Sequence, residues 1–222
     1  MRADLYHKKG MDVVLDDVIL PGDLTAPADA DGIVVFAHGS GSSRKSPRNQ
    51  MVARFLNASR FATLLFDLLT PDEEKIDAEG GNFRFNIEFL AQRLSAATLW
   101  VKKQPAIGGM PLGYFGASTG GAAAIRAAEM KGRGTVKAIV SRGGRPDLAP
   151  GSLPMIETPT LLIVGENDPH VLDLNRQAYD LLHCEKELVI VPGASHLFEE
   201  PGALEEVARR AGQWFKQYLS MD

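Results

Sequence analysis

The sequence predicts an α/β fold in which a doubly wound, mostly parallel sheet is covered by helices on both faces. Three observations lead to this prediction. Six short apolar runs lack the polar alternation of a half-exposed strand, which is typical of parallel strands covered on both sides. Segments with a helical spacing of apolar residues separate these runs. Polar and glycine-rich residues follow each run, at what would be one edge of the sheet.

The composition is typical of a globular protein, and it does not favour a strongly charged binding partner. The 222 residues are 45% hydrophobic and 23% charged, with a formal net charge of −4. This length fits one domain over residues 1–222, in which we expect residues 1–12 to form an N-terminal tail. The mild acidity predicts no binding to nucleic acid or to anionic membranes. No segment resembles a signal peptide or a membrane span, so a cytoplasmic location is expected.

The first half of the chain begins with two short predicted strands, at residues 13–20 and 23–25, separated by Pro21-Gly22. The pattern alone does not define their pairing. A regular alternation follows a loop at residues 27–32. It comprises a strand at 33–37, a helix that starts at Ser46-Pro47, a strand at 63–66, a polar loop at 70–81 and a helix at 87–101.

The second half continues the alternation and contains no space for an inserted domain. Its predicted elements are strands at 112–115, 136–140, 161–164 and 188–191, with helices after residue 120 and over 171–182 and 204–218. The connection over residues 141–160 holds four prolines and is too short for a packed cap domain. We therefore expect an open site at the carboxyl ends of the strands.

One sequence within this alternation points to covalent chemistry. Residues 116–120 read Gly-Ala-Ser-Thr-Gly, between a predicted strand and a predicted helix. A serine on such a sharp turn exposes its hydroxyl, and flanking glycines remove side chains that would clash. Ser118 is therefore the candidate nucleophile, although the five-residue pattern by itself also occurs in ordinary turns.

Two residues after later strands supply what a serine nucleophile requires. His196 follows the last predicted strand and is the candidate general base. Asp168 follows the preceding strand and would orient the imidazole. The chain order Ser, Asp, His is that of the α/β-hydrolases. Glu166 and Asp147 remain alternative acids.

A third loop, over residues 38–43, is expected to stabilise the oxyanion that forms during acyl transfer. One donor would be the amide of Thr119, directly after the nucleophile. We assign the second donor to the amide of Ser40, with Gly39 as the near alternative. His38 is expected to pack or hydrogen-bond in this loop rather than to transfer protons.

Together these motifs resemble the dienelactone-hydrolase-like branch of the α/β-hydrolases. The resemblance is carried by FAHGSGSS, LLFDLLTP, GYFGASTGG, LLIVGENDP and PGASHLFEEPG, and it extends from about residue 13 to residue 219. It implies an eight-stranded, mostly parallel sheet whose second strand is antiparallel. Dienelactone hydrolases use a cysteine nucleophile where this sequence has Ser118, so the resemblance indicates a more general carboxylic ester hydrolase.

The substrate is expected to be a small-molecule ester, with a thioester or a lactone as alternatives. Arg44, Arg142 and Arg145 lie in loops near the predicted site and are candidates to bind an anionic group of the substrate, although solvated surface charges would give the same pattern. No metal-ligand cluster or nucleotide-binding pattern is present, so no cofactor and no metal are predicted. An acyltransferase with the same three residues, and a non-catalytic binding module of the same fold, remain alternatives.

Overall fold

The architecture is a single eight-stranded sheet, seen in a computed structural model that describes residues 5–15 and 18–219. The strand order is β1-β2-β4-β3-β5-β6-β7-β8. The strand β2 runs antiparallel to both neighbours, and all later pairs are parallel. The strands are β1 Leu5–Val14, β2 Ile19–Pro27, β3 Gly32–Ala37, β4 Phe61–Phe66, β5 Leu112–Ala117, β6 Ala138–Arg142, β7 Thr160–Gly165 and β8 Lys186–Val191.

Helices cover both faces of this sheet, which confirms the predicted fold class. The helices are α1 Pro47–Ala58, α2 Pro71–Ala78, α3 Ile87–Lys102, α4 Thr119–Lys131, α5 Pro169–Leu181 and α6 Ala203–Leu219. One apolar core contains residues of α1 and α6, and the other contains residues of α3 and α4. Within the described ranges, no helix combines the length and apolar character needed to cross a membrane.

The strand β3 shows why the apolar runs carry no polar alternation. All six of its residues are buried. Ile33 and Val35 pack into the core beneath α3 and α4, whereas Val34 and Phe36 pack into the core beneath α1 and α6. Because successive side chains in a strand point to opposite faces, a strand with helices on both sides needs apolar residues at every position.

The N-terminal strands differ from the sequence prediction. Residues 5–12, expected in a tail, belong to β1, which pairs with β2 along most of its length. The predicted strand at 13–20 is wrong, because β1 ends at Val14 and β2 begins at Ile19. The Pro21-Gly22 pair lies inside β2 rather than between two strands. Residues 1–4 and 16–17 of these predictions lie outside the described residues.

A helix replaces the loop that was predicted over residues 70–81. The helix α2 begins after Thr70, whose side chain accepts a hydrogen bond from the amide of Glu73 while the Glu73 carboxylate accepts one from the amide of Thr70. This reciprocal capping box, with Pro71 in the first turn, satisfies amides that have no partner within the helix. The polar composition of the segment concealed the helix, but its N-terminal signature was present in the sequence.

No cap domain is inserted between β6 and β7. Residues 143–159, all described, form turns and one 3-10 turn at Pro146–Leu148. The carboxyl ends of β3, β5, β6, β7 and β8 are consequently left open at one edge of the sheet, where the predicted site residues follow the strands.

Candidate active site

Ser118 lies at a strained junction between β5 and α4. Its backbone has φ 53° and ψ −122°, a conformation that residues with a side chain seldom adopt. The helix approaches β3 so closely that a Cβ atom on Gly120 would lie 2.1 Å from the carbonyl oxygen of Ala37. A Cβ atom on Gly116 would lie 2.4 Å from the carbonyl oxygen of Gly120. Both glycines of the motif are therefore required by close backbone contacts.

The last residue of β6 and the loop after it hold the backbone of Ser118 on both sides. The amide of Ser118 donates to the carbonyl of Arg142 at 3.1 Å. The carbonyl of Ser118 accepts from the amides of Gly121 at 2.9 Å and Arg145 at 3.1 Å. These bonds fix a backbone conformation that would be unfavourable in isolation, which is the usual condition for strain at a functional residue.

His196 and Asp168 form a direct pair at the ends of neighbouring strands. Nδ1 of His196 lies 2.6 Å from Oδ2 of Asp168. Asp168 precedes α5, but its side chain makes no capping bond to the helix, so the carboxylate is available to the imidazole. The His196 ring lies against the loop after β6, because a Cβ atom on Gly143 would be 3.4 Å from its Cε1 atom. Ser118 and His196 thus contact adjacent residues of one loop.

The two alternative acids have other partners. The carboxylate of Glu166 accepts a hydrogen bond from the amide of Gly193 at 2.8 Å. Asp147 accepts two hydrogen bonds of 2.8 Å from Arg145. Of the three candidate acids, Asp168 is the one that bonds to His196.

The turn after β3 contacts both Ser118 and the residue that follows it. Gly39 lies against Ser118, since a Cβ atom there would be 3.0 Å from Ser118 Cβ. The Ser40 amide donates to Oγ1 of the buried Thr119 at 2.8 Å. In this state the amide that was assigned to the oxyanion is therefore engaged by a side chain. The sequence motif predicted a role for the Thr119 amide and none for its hydroxyl.

His38 joins this turn to the end of β4. Its Nε2 accepts a hydrogen bond from the amide of Leu68 at 3.0 Å, so Nδ1 carries the hydrogen and donates to the carbonyl of Gly39 at 3.0 Å. Burial lowers the pKa of His38, because desolvation disfavours the imidazolium, and smaller opposing contributions come from Gly39, Asp67 and Glu74. The neutral ring therefore links Gly39 to Leu68 by two hydrogen bonds, in agreement with the predicted hydrogen-bonding role of His38 in this loop.

An open cleft of about 540 Å³ borders the same turn. Its lining includes the whole of residues 38–43, Arg48 at the start of α1, and Asp77, Arg84 and Leu90. Asp77 and Arg84 form an ion pair in this lining. Ser40 lines the cleft, whereas Ser118 and His196 are not among its lining residues; the turn lies between the cleft and Ser118.

The three candidate arginines differ sharply in their surroundings. Arg44 forms ion pairs with Asp67 and, at 3.6 Å, with Asp23. Arg145 makes a bidentate pair with Asp147. Each of these two guanidinium groups therefore has a carboxylate partner within the protein. Arg142 is buried, and its Nε and Nη1 atoms have no hydrogen-bond partner.

The fold and the Asp-His pair beside a strained serine define a protein of the hydrolase class. The chain belongs to the dienelactone hydrolase family, whose model matches residues 21–220. This confirms the resemblance that the sequence motifs indicated.

Proteins of known structure share this fold over nearly their whole length. A dienelactone hydrolase from Anabaena variabilis is 52% identical, with a TM-score of 0.93, and the match covers 99% of this chain and 100% of that one. Est1E from Butyrivibrio proteoclasticus matches 95% of this chain and 98% of its own with a TM-score of 0.79; at 16% identity it shows the shared fold alone.

A Mycobacterium tuberculosis protein that carries the name "Putative phosphoribosyl transferase" is 54% identical over 207 residues. The match covers 93% of this chain but 46% of that protein. The chain therefore spans about half the length of the curated relative that it matches.

Proposed function

We propose that this hydrolase cleaves carboxylic esters of a small molecule through an acyl-enzyme intermediate, with Ser118 as nucleophile, His196 as general base and Asp168 as the residue that orients it. The observation that carries the proposal is the 2.6 Å contact between His196 Nδ1 and Asp168 Oδ2. A carboxylate at this nitrogen leaves Nε2 free to accept a proton, which is the tautomer that nucleophile activation needs.

The first half of the reaction forms the acyl-enzyme. The Ser118 hydroxyl oxygen bonds to the ester carbonyl carbon while its proton passes to Nε2 of His196. Asp168 stabilises the imidazolium that results. The tetrahedral intermediate then collapses: its bond to the alcohol oxygen breaks, and the alcohol leaves with the proton from His196.

In the second half, water hydrolyses the acyl-enzyme. His196 takes a proton from the water molecule, whose oxygen bonds to the acyl carbon. Collapse of this second intermediate returns the proton to the oxygen of Ser118 and releases the carboxylic acid. An acceptor alcohol in place of water would give acyl transfer by the same steps.

The oxyanion in both intermediates would be held by backbone amides. The amide of Thr119 is one donor, and the turn with Ser40 and Gly39 supplies the second. For the Ser40 amide to serve, the carbonyl oxygen of the substrate must replace or share the hydroxyl of Thr119 as its acceptor. The exchange keeps the amide hydrogen-bonded before and during the reaction.

The name of the longer Mycobacterium tuberculosis relative does not alter this proposal. That name applies to a protein of which the match covers 46%, whereas the dienelactone hydrolase family model matches residues 21–220 of this chain. We therefore derive the activity of this chain from its own site.

A fluorophosphonate probe with intact-mass detection tests the proposal. We expect stoichiometric labelling of the wild-type chain and no labelling of Ser118→Ala. Ser59→Ala, at the exposed end of α1, is a matched control that should label normally. An absence of labelling in both wild type and control would contradict an activated serine and support a binding module. Turnover of matched aryl esters, thioesters and lactones would then define the bond that is cleaved.

A further inference from the structure

Arg142 combines two properties that rarely occur together in a folded protein. Only 7% of the residue is exposed, yet two nitrogen atoms of its guanidinium group lack a hydrogen-bond partner. An arginine is almost always protonated and is seldom buried without a carboxylate or carbonyl to receive its hydrogens. Burying such a charge is costly, so its retention calls for a partner that the chain itself does not provide.

The groups around Arg142 do not neutralise it. Its guanidinium lies over the ring of Phe198, with 5.9 Å between Cζ and the ring centroid. Burial, together with a smaller effect of the nearby positive charge of Arg48, lowers the pKa of Arg142 to about 10. The side chain therefore stays protonated at neutral pH, beside a second cation.

The second cation, Arg48, lies in the first turn of α1. Ser46 caps α1, Pro47 is its first residue, and no acidic residue occurs in the first turn. The positive end of the helix dipole is thus left without a negative side chain of its own. Arg48 does pair with Glu199 at 3.1 Å, but the Glu199 side chain is 64% exposed, so solvent weakens this attraction.

The location connects these positive groups to the candidate active site. Arg48 lines the cleft that borders the turn with Ser40. Arg142 is the last residue of β6, and its carbonyl oxygen accepts a hydrogen bond from the amide of Ser118. Phe198 lies two residues beyond His196. A bound anion here would lie among residues that adjoin Ser118 and His196.

We propose that Arg142, Arg48 and the N-terminus of α1 form a subsite for a phosphate monoester group carried by the substrate. A phosphate dianion matches two guanidinium groups in charge, and each guanidinium can bond two of its oxygens. Helix N-termini are also established binding positions for phosphate. A single carboxylate would neutralise one cation only. This inference extends the proposed function. It rests on that function in one respect, because it takes the phosphate-bearing ligand to be the substrate of the hydrolase.

Thermal unfolding of the Ser118→Ala protein measures the subsite without catalysis. In phosphate-free buffer at constant ionic strength, inorganic phosphate at about five times its dissociation constant should raise the Tm by about 2–4 °C. Acetate at the same concentration should not. The shift should disappear in Ser118→Ala/Arg142→Met and persist in Ser118→Ala/Arg133→Met, since Arg133 is a surface residue paired with Glu157.

The Tm of the Arg142→Met variant without phosphate provides a second reading. Removing an unpaired buried charge should leave the Tm unchanged or raise it. A large fall in Tm, with no phosphate effect on the parent, would show that the guanidinium has a structural role and would overturn the subsite. An equal response to acetate would overturn the choice of phosphate.

Ester kinetics separate this inference from the proposed function. We expect wild-type kcat/KM for a 3-phosphooxypropionate aryl ester to exceed that for the propionate ester by about tenfold or more, and this ratio to fall in Arg142→Met. Hydrolysis of both esters at equal rates would overturn the subsite and leave the esterase proposal intact. A phosphate-dependent Tm without hydrolysis of either ester would support the subsite as a ligand site and contradict the esterase.

Discussion

Oγ1 of Thr119 accepts a hydrogen bond of 2.8 Å from the amide of Ser40, which joins the first residue of α4 to the turn after β3. The two residues are far apart in sequence, and this bond sets the position of one candidate oxyanion donor relative to the nucleophile. Thr119 therefore positions the Ser40 amide through its hydroxyl and also provides its own backbone amide as a candidate oxyanion donor.

Thr119→Val should weaken both catalysis and stability. The valine keeps the shape of the side chain but leaves the Ser40 amide without its acceptor, at a cost of about 1–3 kcal/mol in the free energy of unfolding. Displacement of the turn should lower kcat for an aryl ester by about 10- to 100-fold. Steady-state kinetics and urea unfolding measure the two effects. Thr119→Ser keeps the hydroxyl and should stay close to wild type; equal losses in both variants would contradict a role for the hydroxyl.

Asp168→Asn should lower kcat by about 10³- to 10⁴-fold while the fold is retained. An amide in place of the carboxylate neither holds the required tautomer of His196 nor stabilises its protonated form. Ester hydrolysis and Tm are the measurements. Asp173→Asn is the matched control, because Asp173 lies on the exposed face of α5 in a surface pair with Arg176. Wild-type turnover in Asp168→Asn would require a different acid.

His38 should make folding stability depend on pH. Burial lowers the pKa of His38 below its ordinary value of about 6.5. Between the lowered pKa and about pH 6.5, the unfolded chain binds a proton that the folded chain does not, so stability falls as the pH falls. The slope from this one group is at most about 1.4 kcal/mol per pH unit.

Denaturant unfolding at pH 7.5 and pH 5.5 tests this expectation. His38→Gln removes the titrating ring and should lose less stability between these two pH values than wild type loses. His183→Gln, at an exposed position, should behave as wild type does. The same pH dependence in wild type and His38→Gln would rule out the ring as its source.

Gly120→Ala should destabilise the protein by about 2–3 kcal/mol or more. Its Cβ atom would lie 2.1 Å from the carbonyl oxygen of Ala37, so the backbone of α4 or β3 has to move. Gly151→Ala is the control, because a Cβ atom there meets no atom within 4 Å. Urea unfolding of both variants gives the comparison, and similar stabilities would show that the junction is looser than the geometry indicates.

Most of the sheet could be predicted because the strands from β3 to β7 are buried at every position. The runs that became these strands and the edge strand β8 are short and mainly apolar, and the segments between them have helical spacing. The strands β1 and β2, at one edge of the sheet, were harder to predict. β1 contains His7, Lys8 and Lys9, and β2 contains Pro21-Gly22, so local propensity disfavoured strands that pairing with a neighbour stabilises.

Part of the candidate site was also readable from position in the chain. Ser118, Asp168 and His196 each follow a strand, and parallel strands bring their carboxyl ends together. The sequence does not show which of Arg44, Arg142 and Arg145 lacks an ion-pair partner, because this depends on residues that are brought together only by the fold. Arg44 meets Asp67 across the sheet edge, whereas no carboxylate approaches Arg142 among the described residues. The role of Thr119 Oγ1 was hidden for the same reason.

The backbone bonds between Ser118 and the loop after β6 carry a mechanical consequence. The amide of Ser118 is held by Arg142 and its carbonyl by Arg145, so the serine has little freedom to move without that loop. A displacement of the loop is therefore transmitted to the Ser118 hydroxyl through these hydrogen bonds and the backbone of the serine. Substitutions that shift the loop by a fraction of an ångström should therefore change the reactivity of Ser118 even when every proposed catalytic side chain is intact. In engineering of this enzyme, residues 142–145 should be kept unchanged because they hold the backbone of the candidate nucleophile Ser118.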